Sequence, residues 1–498
     1  MPFTCPRATT SAPKRNDSVM KRRLLPLAAL LALTACGGGG DGEIITADER
    51  KLGAEQHPLL LAEFGGAYQA PEAAYVKSLG NKLAAEAGLD GQCTFTLVNS
   101  DVVNAFAVPG CYIYVTRGLM GIVNSEAELA SVLGHEVGHI VGLHGRMQQK
   151  RSLWRGLGVL AVQVLTGSDR LTRIAGEAAT YFTLRYSRKQ EYQADDLGLG
   201  YLRAAGYDPY AASDMLDALA RQEQYQSLSR SRDEARSIPE WARTHPLTEN
   251  RVQRARDAAA KTGAGPDDIP EYEAPFLREV DGLLYGDDPA QGFVLGRRFA
   301  HPVMRIGFEA PQGFTLTNSP QAILIEGPDG VRGEFGGGTM PAGGLPPYVE
   351  ALVAQLLKDT PATAGQGVQT RINGVSALIV PFQIETREGA VSLTVAAYAG
   401  ANGGAFHFAM ISNPAAGPAA GIDTLFRSFH VLTPEEVAGL RPRRIQVVAA
   451  GPQDSYQSLA ARMASDHPLE HLLMLNARKQ GDPLRPGQPV KIVTYAPR

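Results

Sequence analysis

The 498-residue chain has only four cysteines and no strong excess of either charge, its formal net charge being −3. Beyond the leader it lacks any Lys/Arg-rich block, so the basic footprint of a nucleic-acid binder is missing. It also lacks an apolar run long enough to cross a bilayer. Leu24 to Leu33 is ten residues and Val159–Leu165 is shorter, against about 20 for a spanning helix. Of the cysteines, Cys5 lies upstream of Met20 and Cys36 closes the first apolar run, which leaves Cys93 and Cys111. These two flank the strand-like runs Thr94–Val98 and Tyr112–Thr116. In an oxidising compartment they are either bonded to each other or two buried thiols.

What is present is ordinary globular composition, 44% hydrophobic and 20% charged, over a length that predicts two or three domains. Met20–Arg23 is a basic start, Leu24 to Leu33 an apolar segment, and Leu33-Thr34-Ala35-Cys36 resembles the bacterial lipobox. The resemblance implies cleavage before Cys36 and lipid on its thiol. With Gly37 rather than Asp following, it favours the outer membrane. Residues 1–36 are thus expected to be leader and lipoprotein signal peptide, and 37–47 a Gly-rich tether.

The chemistry is carried by His135-Glu136-Val137-Gly138-His139. On a helix, residues four apart share a face, so the two imidazoles can converge on one metal ion, with Glu136 turned aside to reach a metal-activated water. Zinc is the predicted ion, since it lowers the pKa of bound water to about 7. Ser125 is a good N-cap for this helix, Glu128 completes a predicted capping box, and Gly145 sits where the C-cap should fall. A third ligand is needed. His144 is one residue short of the metzincin spacing and reads as a helix-end histidine. Glu191, in a helix predicted over Ile174 to Ala205, is the other candidate.

Glu191 followed by Ala194-Asp195, well downstream of the H-E-x-x-H, resembles the zinc peptidase family that includes HtpX, the CAAX prenyl proteases and BepA. Asn104–Ala107 and Gly118–Met120 share the likeness, which covers about residues 48–260. The resemblance implies that His135, His139 and Glu191 hold one Zn2+, that Glu136 is the general base, and that Asp195 orients a ligand histidine. In this fold class the strand before the zinc helix often pairs with extended substrate, which makes Cys111, Tyr112 and Ile113 candidate substrate-binding residues. Thr244-His245-Pro246, with Arg251 after it, matches a further family feature. His245 would either join the metal as an inhibitory extra ligand or stabilise the oxyanion, unless it merely lies ahead of the next helix.

The expected fold is α+β. A mainly helical zincin-like catalytic domain with a small edge sheet spans 48–275. A small α+β accessory domain of unassigned role follows over 276–435. A βααβ module at 441–498 resembles LysM through Ser455–Ala460, Leu475-Asn476 and Leu484 to Val493, with an insertion at its opening. The expected function is endopeptidase action on misfolded or unassembled envelope proteins in the periplasm. The chain would be held by lipid on Cys36, with peptidoglycan contact through the last module. The alternatives are a latent zinc-binding chaperone and a cell-wall-binding protein.

Overall fold

A computed structural model describes residues 43–146, 186–229, 245, 249–266, 268–357, 360–386, 389–413 and 421–496. The leader, the lipobox, the 159–165 run, Thr244 and Pro246 lie outside these. Residues 44–498 form one compact unit.

Helices α1 (Ala47–Glu63) and α2 (Pro71–Glu86) lead into strands β1 (Thr94–Val98), β2 (Ala105–Val108) and β3 (Tyr112–Thr116). A short α3 (Arg117–Ile122) precedes α4 (Glu126–Val141), which carries the H-E-x-x-H. Ser125 starts α4 by accepting from Glu128 N at 3.0 Å. The expected capping box does not close: the Glu128 carboxylate accepts from Asn124 N instead, at 2.8 Å. The helix ends at Gly142, not Gly145. Leu129, Val132, Leu133 and Val137 are all buried, so α4 is the axis of the domain rather than a surface helix.

Against α4 lies α5 (Arg188–Ala204), started by a Ser187–Gln190 capping box. The two helices touch through backbone. A Cβ on Gly138 would lie 2.8 Å from Ala194 O, and one on Gly198 would lie 2.9 Å from His135 N. Small residues at 138, 194 and 198 therefore set the close approach that brings Glu191 and Asp195 up to the two histidines. Helices α6 (Ala211–Ser229), α7 (Glu249–Ala260) and α8 (Glu273–Val280) complete this layer.

The sheet runs β1-β3-β2, with β3 parallel to β1 and antiparallel to β2. Cys93 and Cys111 are joined by a disulfide across its base. The placement of substrate on Cys111–Thr116 is corrected here. Tyr112 and Ile113 are paired on both sides, to Thr94 and Phe95 on β1 and to Val108 and Ala107 on β2. Cys111 is fully buried in the Gly110–Cys111 turn, at φ +60°. The edge beside the zinc helix belongs to β2.

After α8 come β4 (Leu284–Tyr285), β5 (Phe293–Leu295), β6 (Arg298–His301), β7 (Ile306–Glu309), β8 (Thr315–Asn318), β9 (Ile323–Glu326) and β10 (Arg332–Thr339). Then follow α9 (Leu345–Leu357), β11 (Ala362–Ala364), β12 (Val368–Ile372), β13 (Val375–Thr386), β14 (Gly389–Ala399), β15 (Gly404–Ser412), α10 (Ile422–Arg427), β16 (His430–Val431) and α11 (Pro434–Gly439). An eight-stranded antiparallel sheet is built from β8 to β15. One face packs on Phe299, Phe308, Phe426 and Phe429 and the other on α9, so alternate residues of β13–β15 are buried in two separate cores. Strands β5, β6, β7 and β16 form a smaller sheet beside it.

The chain then runs β17 (Arg443–Ala449), α12 (Tyr456–Ala460), α13 (Pro468–Leu475) and β18 (Pro489–Tyr495), in the βααβ order expected. It is not a separate body, however. Its β17 pairs with β4, and Ile445, Leu459, Leu472, Leu475, Val490 and Ile492 share one core with Leu119, Leu129 and Leu133 of the α3–α4 region. The Lys491 ammonium is buried beneath that region and donates to Gly121 O at 3.0 Å and Val123 O at 2.6 Å. His471 is also buried, its ring nitrogens 2.7 Å from Tyr285 Oη and 2.9 Å from Ser465 Oγ.

Candidate metal centre

Four side chains predicted from sequence meet at one point. His135, His139, Glu191 and His245 are all buried, and each presents one donor atom within 4.8 Å of the others. His135 Nε2 and His139 Nε2 are 3.0 Å apart, as the i, i+4 spacing on α4 requires. His245 Nδ1 lies 3.3 Å from His135 Nε2 and 3.2 Å from Glu191 Oε1. Glu191 Oε1 lies 3.6 Å from His139 Nε2. Donors on a tetrahedral ion at about 2.0–2.1 Å stand roughly 3.3 Å apart, so this donor set fits zinc.

Charge argues the same way. Glu136, Glu191 and Asp195 gather around a single guanidinium, Arg251. That group reaches Glu191 Oε2 at 2.8 Å and grips Asp195 at 2.7 and 3.0 Å. Three carboxylates against one cation leave an excess that a dication would neutralise. Burial raises the Glu136 carboxyl, against the pull of His245 and His135. Burial also pushes on Glu191, but His245, His135 and Arg251 outweigh it and hold its carboxyl below the ordinary value. His139 is driven well below the usual imidazole range by burial and by the neighbouring His135 and His245, which keeps it neutral as a ligand must be. For His245, burial is outweighed by Glu191 and Glu136, and the ring is raised.

Glu136 has a fully buried carboxylate with no hydrogen-bond partner among the described residues. Its ion-pair contact is His245 Nε2, at 3.5 Å. Behind the cluster, Asp195 Oδ1 is 3.0 Å from His135 Nδ1. Sequence reasoning missed two neighbours. Tyr186 stacks on His139 with ring centroids 3.9 Å apart, and no spacing signal pointed to it. His144, taken as a helix-end residue, has its Nδ1 2.8 Å from His139 Nδ1. The Gly142–Leu143 break was the signal for this, because the prediction ran the helix on to Gly145.

Residues 70–259 match the family described as Peptidase family M48. A beta-barrel assembly-enhancing protease of Yersinia pestis is 33% identical over 195 residues, 37% of this chain and 38% of its own length. Its namesake in Escherichia coli (strain K12) is 30% identical over the same extent. The mitochondrial metalloendopeptidase OMA1 of Arabidopsis thaliana is 37% identical over 125 residues, 25% of each chain. The chain therefore spans well under half the length of these relatives. The stretch that matches the M48 peptidases, residues 70–259, carries all four cluster residues, His135, His139, Glu191 and His245.

Proposed function

We propose that the chain is a zinc-dependent endopeptidase acting on polypeptides of the bacterial envelope, and that it stands here in a latent arrangement. The observation that carries this is the buried Glu136 carboxylate, without a hydrogen bond among the described residues, beside three convergent metal-ligand side chains. A purely structural zinc site has no use for such a group. His135, His139 and Glu191 would hold zinc, which when bound supplies Lewis acidity and an acidified water. Asp195 holds the ring of His135, and Arg251 bridges Glu191 and Asp195. Glu136 is placed to accept the proton of the attacking water and to pass it to the leaving amine. Its raised carboxyl suits a base that must also act as an acid. Strand β2, at the sheet edge next to α4, is the template along which an extended peptide can add as a strand.

Latency follows from His245. Its Nδ1 stands where the open coordination position of a catalytic site should be, and its Nε2 faces Glu136. The relatives named for beta-barrel assembly support an envelope role. Together with the lipobox they favour a periplasmic chain held by lipid on Cys36. The C-terminal βααβ segment is read as part of the catalytic body, with peptidoglycan contact secondary.

The test is zinc content and casein hydrolysis for the wild type, Glu136→Gln and His245→Ala. One zinc per chain in all three is expected, with hydrolysis lost in Glu136→Gln by about 10³-fold or more and raised in His245→Ala. A wild type that takes up no zinc when metal is supplied refutes the proposal. Zinc binding with equal hydrolysis in His245→Ala and in the double variant Glu136→Gln/His245→Ala removes Glu136 from its role.

A further inference from the structure

His139 is held from behind by a chain of neutral groups that nothing above assigns a role. Its Nε2 faces the cluster, 3.0 Å from His135 Nε2. Its Nδ1 faces His144 Nδ1 at 2.8 Å, and His144 Nε2 lies 3.3 Å from Gln193 Oε1. His144 is wholly buried. The amide oxygen can only accept, so His144 Nε2 carries the hydrogen, and its Nδ1 presents a lone pair. That lone pair accepts from His139 Nδ1–H, which leaves the Nε2 lone pair of His139 aimed at the cluster. Each proton is placed by the group behind it, ending at Gln193 on α5.

The backbone is bent to make this contact. On an uninterrupted helix, residue 144 would lie about 140° around the axis from residue 139 and could not reach it. Instead α4 stops at Gly142, and Leu143 takes φ +54°, a left-handed conformation unfavourable by roughly 1–2 kcal/mol for a residue with a side chain. The turn swings His144 back under His139. Gly142 must lack a side chain for this, since a Cβ there would lie 2.6 Å from His144 Nε2. The two ligand histidines are thus backed differently, His135 by the Asp195 carboxylate and His139 by an uncharged chain. A fourth carboxylate at this point would exceed the charge that Arg251 and a dication together can balance.

We propose that His144 and Gln193 are positioning residues that fix the tautomer and ring plane of His139 for metal binding, through the His139–His144–Gln193 chain closed by the turn at Leu143. The inference rests on the reading of His139 as a metal ligand.

The experiment uses the full chain. Zinc affinity is measured by competition with a chromogenic chelator, and the visible spectrum is recorded after loading with Co2+, for the wild type, His144→Ala, His144→Asn and Gln193→Leu. An Asn side-chain oxygen can take the place of His144 Nδ1 as acceptor, whereas Ala cannot. His144→Ala should lose about 10- to 100-fold in zinc affinity with an altered cobalt spectrum, and Gln193→Leu should lose less. His144→Asn should recover most of the affinity and the wild-type spectrum, which a purely packing role for the imidazole would not allow. The proposal is overturned if His144→Ala binds within about threefold of the wild type with the same spectrum, or if Asn does no better than Ala. Should His144→Ala fail to fold, as judged by loss of its metal-free melting transition, Gln193→Leu decides, and an unchanged affinity there overturns the proposal. A wild type that binds no zinc would instead refute the endopeptidase reading, and the variants would not be needed.

Discussion

Breaking the Cys93–Cys111 bond should destabilise the protein by an amount fixed mainly by chain length. The cysteines are 18 residues apart, and the loop they close contains β1, β2 and the turn into β3. Closing a loop of that size removes about 11 cal/mol/K from the unfolded chain, or roughly 3 kcal/mol at 25 °C. That is a large part of the ~5–15 kcal/mol that holds a typical domain folded. The variant to make is the double Cys93→Ala/Cys111→Ala, because a serine at the buried position 111 would add an unsatisfied hydroxyl. Urea unfolding of variant and wild type, at fixed saturating zinc and with and without reductant, should show a lower midpoint for the variant. Reductant should lower the wild type to match it and leave the variant unmoved. A variant within about 1 kcal/mol of the wild type would refute the reasoning, meaning that the three-stranded sheet confines residues 93–111 as firmly in the unfolded ensemble as the bond does.

Burial pushes His471 down to about 3, with the nearby Arg443 adding to it. The unfolded chain takes up a proton near pH 6.5 that the folded chain refuses until about pH 3. The stability contributed by the neutral ring is therefore complete above pH 6.5 and drains away as pH falls through that window. The loss should be of order 2 kcal/mol by pH 5. His471→Gln should flatten the pH dependence of the urea midpoint between pH 6.5 and 4 by about one proton, and an unchanged slope would count against the assignment. Replacing Lys491 by Met removes its bonds to Gly121 O and Val123 O and leaves Glu128, whose carboxyl burial has pushed up to about 7, without its cation. A loss of about 2–4 kcal/mol is expected, partly restored in the double variant with Glu128→Gln. Strict additivity in that cycle would show that the two groups do not interact.

His135, Glu136, His139, Glu191 and Asp195 each sit on a helix, four of them as i, i+4 pairs. The i, i+4 pair on α4 was legible from helix period, whereas the Glu191–Asp195 pair on α5 was pointed to by the family resemblance. What the sequence could not show was how closely they meet, which depends on Gly138, Ala194 and Gly198 being bare at one crossing. The disulfide was one of two arrangements the strand-flanking cysteines left open. The order of the strands was not legible, because the three-residue turn Pro109–Cys111 does not reveal that β3 also pairs with β1, and so β3 was read as an edge strand where the sheet has β2. His144 was lost to a helix extended three residues too far, past a leucine whose positive φ nothing in its side chain announces. The βααβ order of the last segment was readable from its pattern. Its fusion to the catalytic core was not, since Lys491 lies in an otherwise strand-like apolar run and gives no hint of carbonyls 368 and 370 residues away.

That separation has a consequence for how the protein comes into being. The turns around Gly121 and Val123, which lead straight into the zinc helix, lack their buried cation until residue 491 has been synthesised. At about 5–20 residues per second, the 370-residue interval lasts tens of seconds. Throughout it the apolar underside of α3 and α4 has no permanent cover. A chain cut short before β18 therefore leaves Gly121 O and Val123 O without their ammonium, and the α3–α4 core without the cover that Val490 and Ile492 give it.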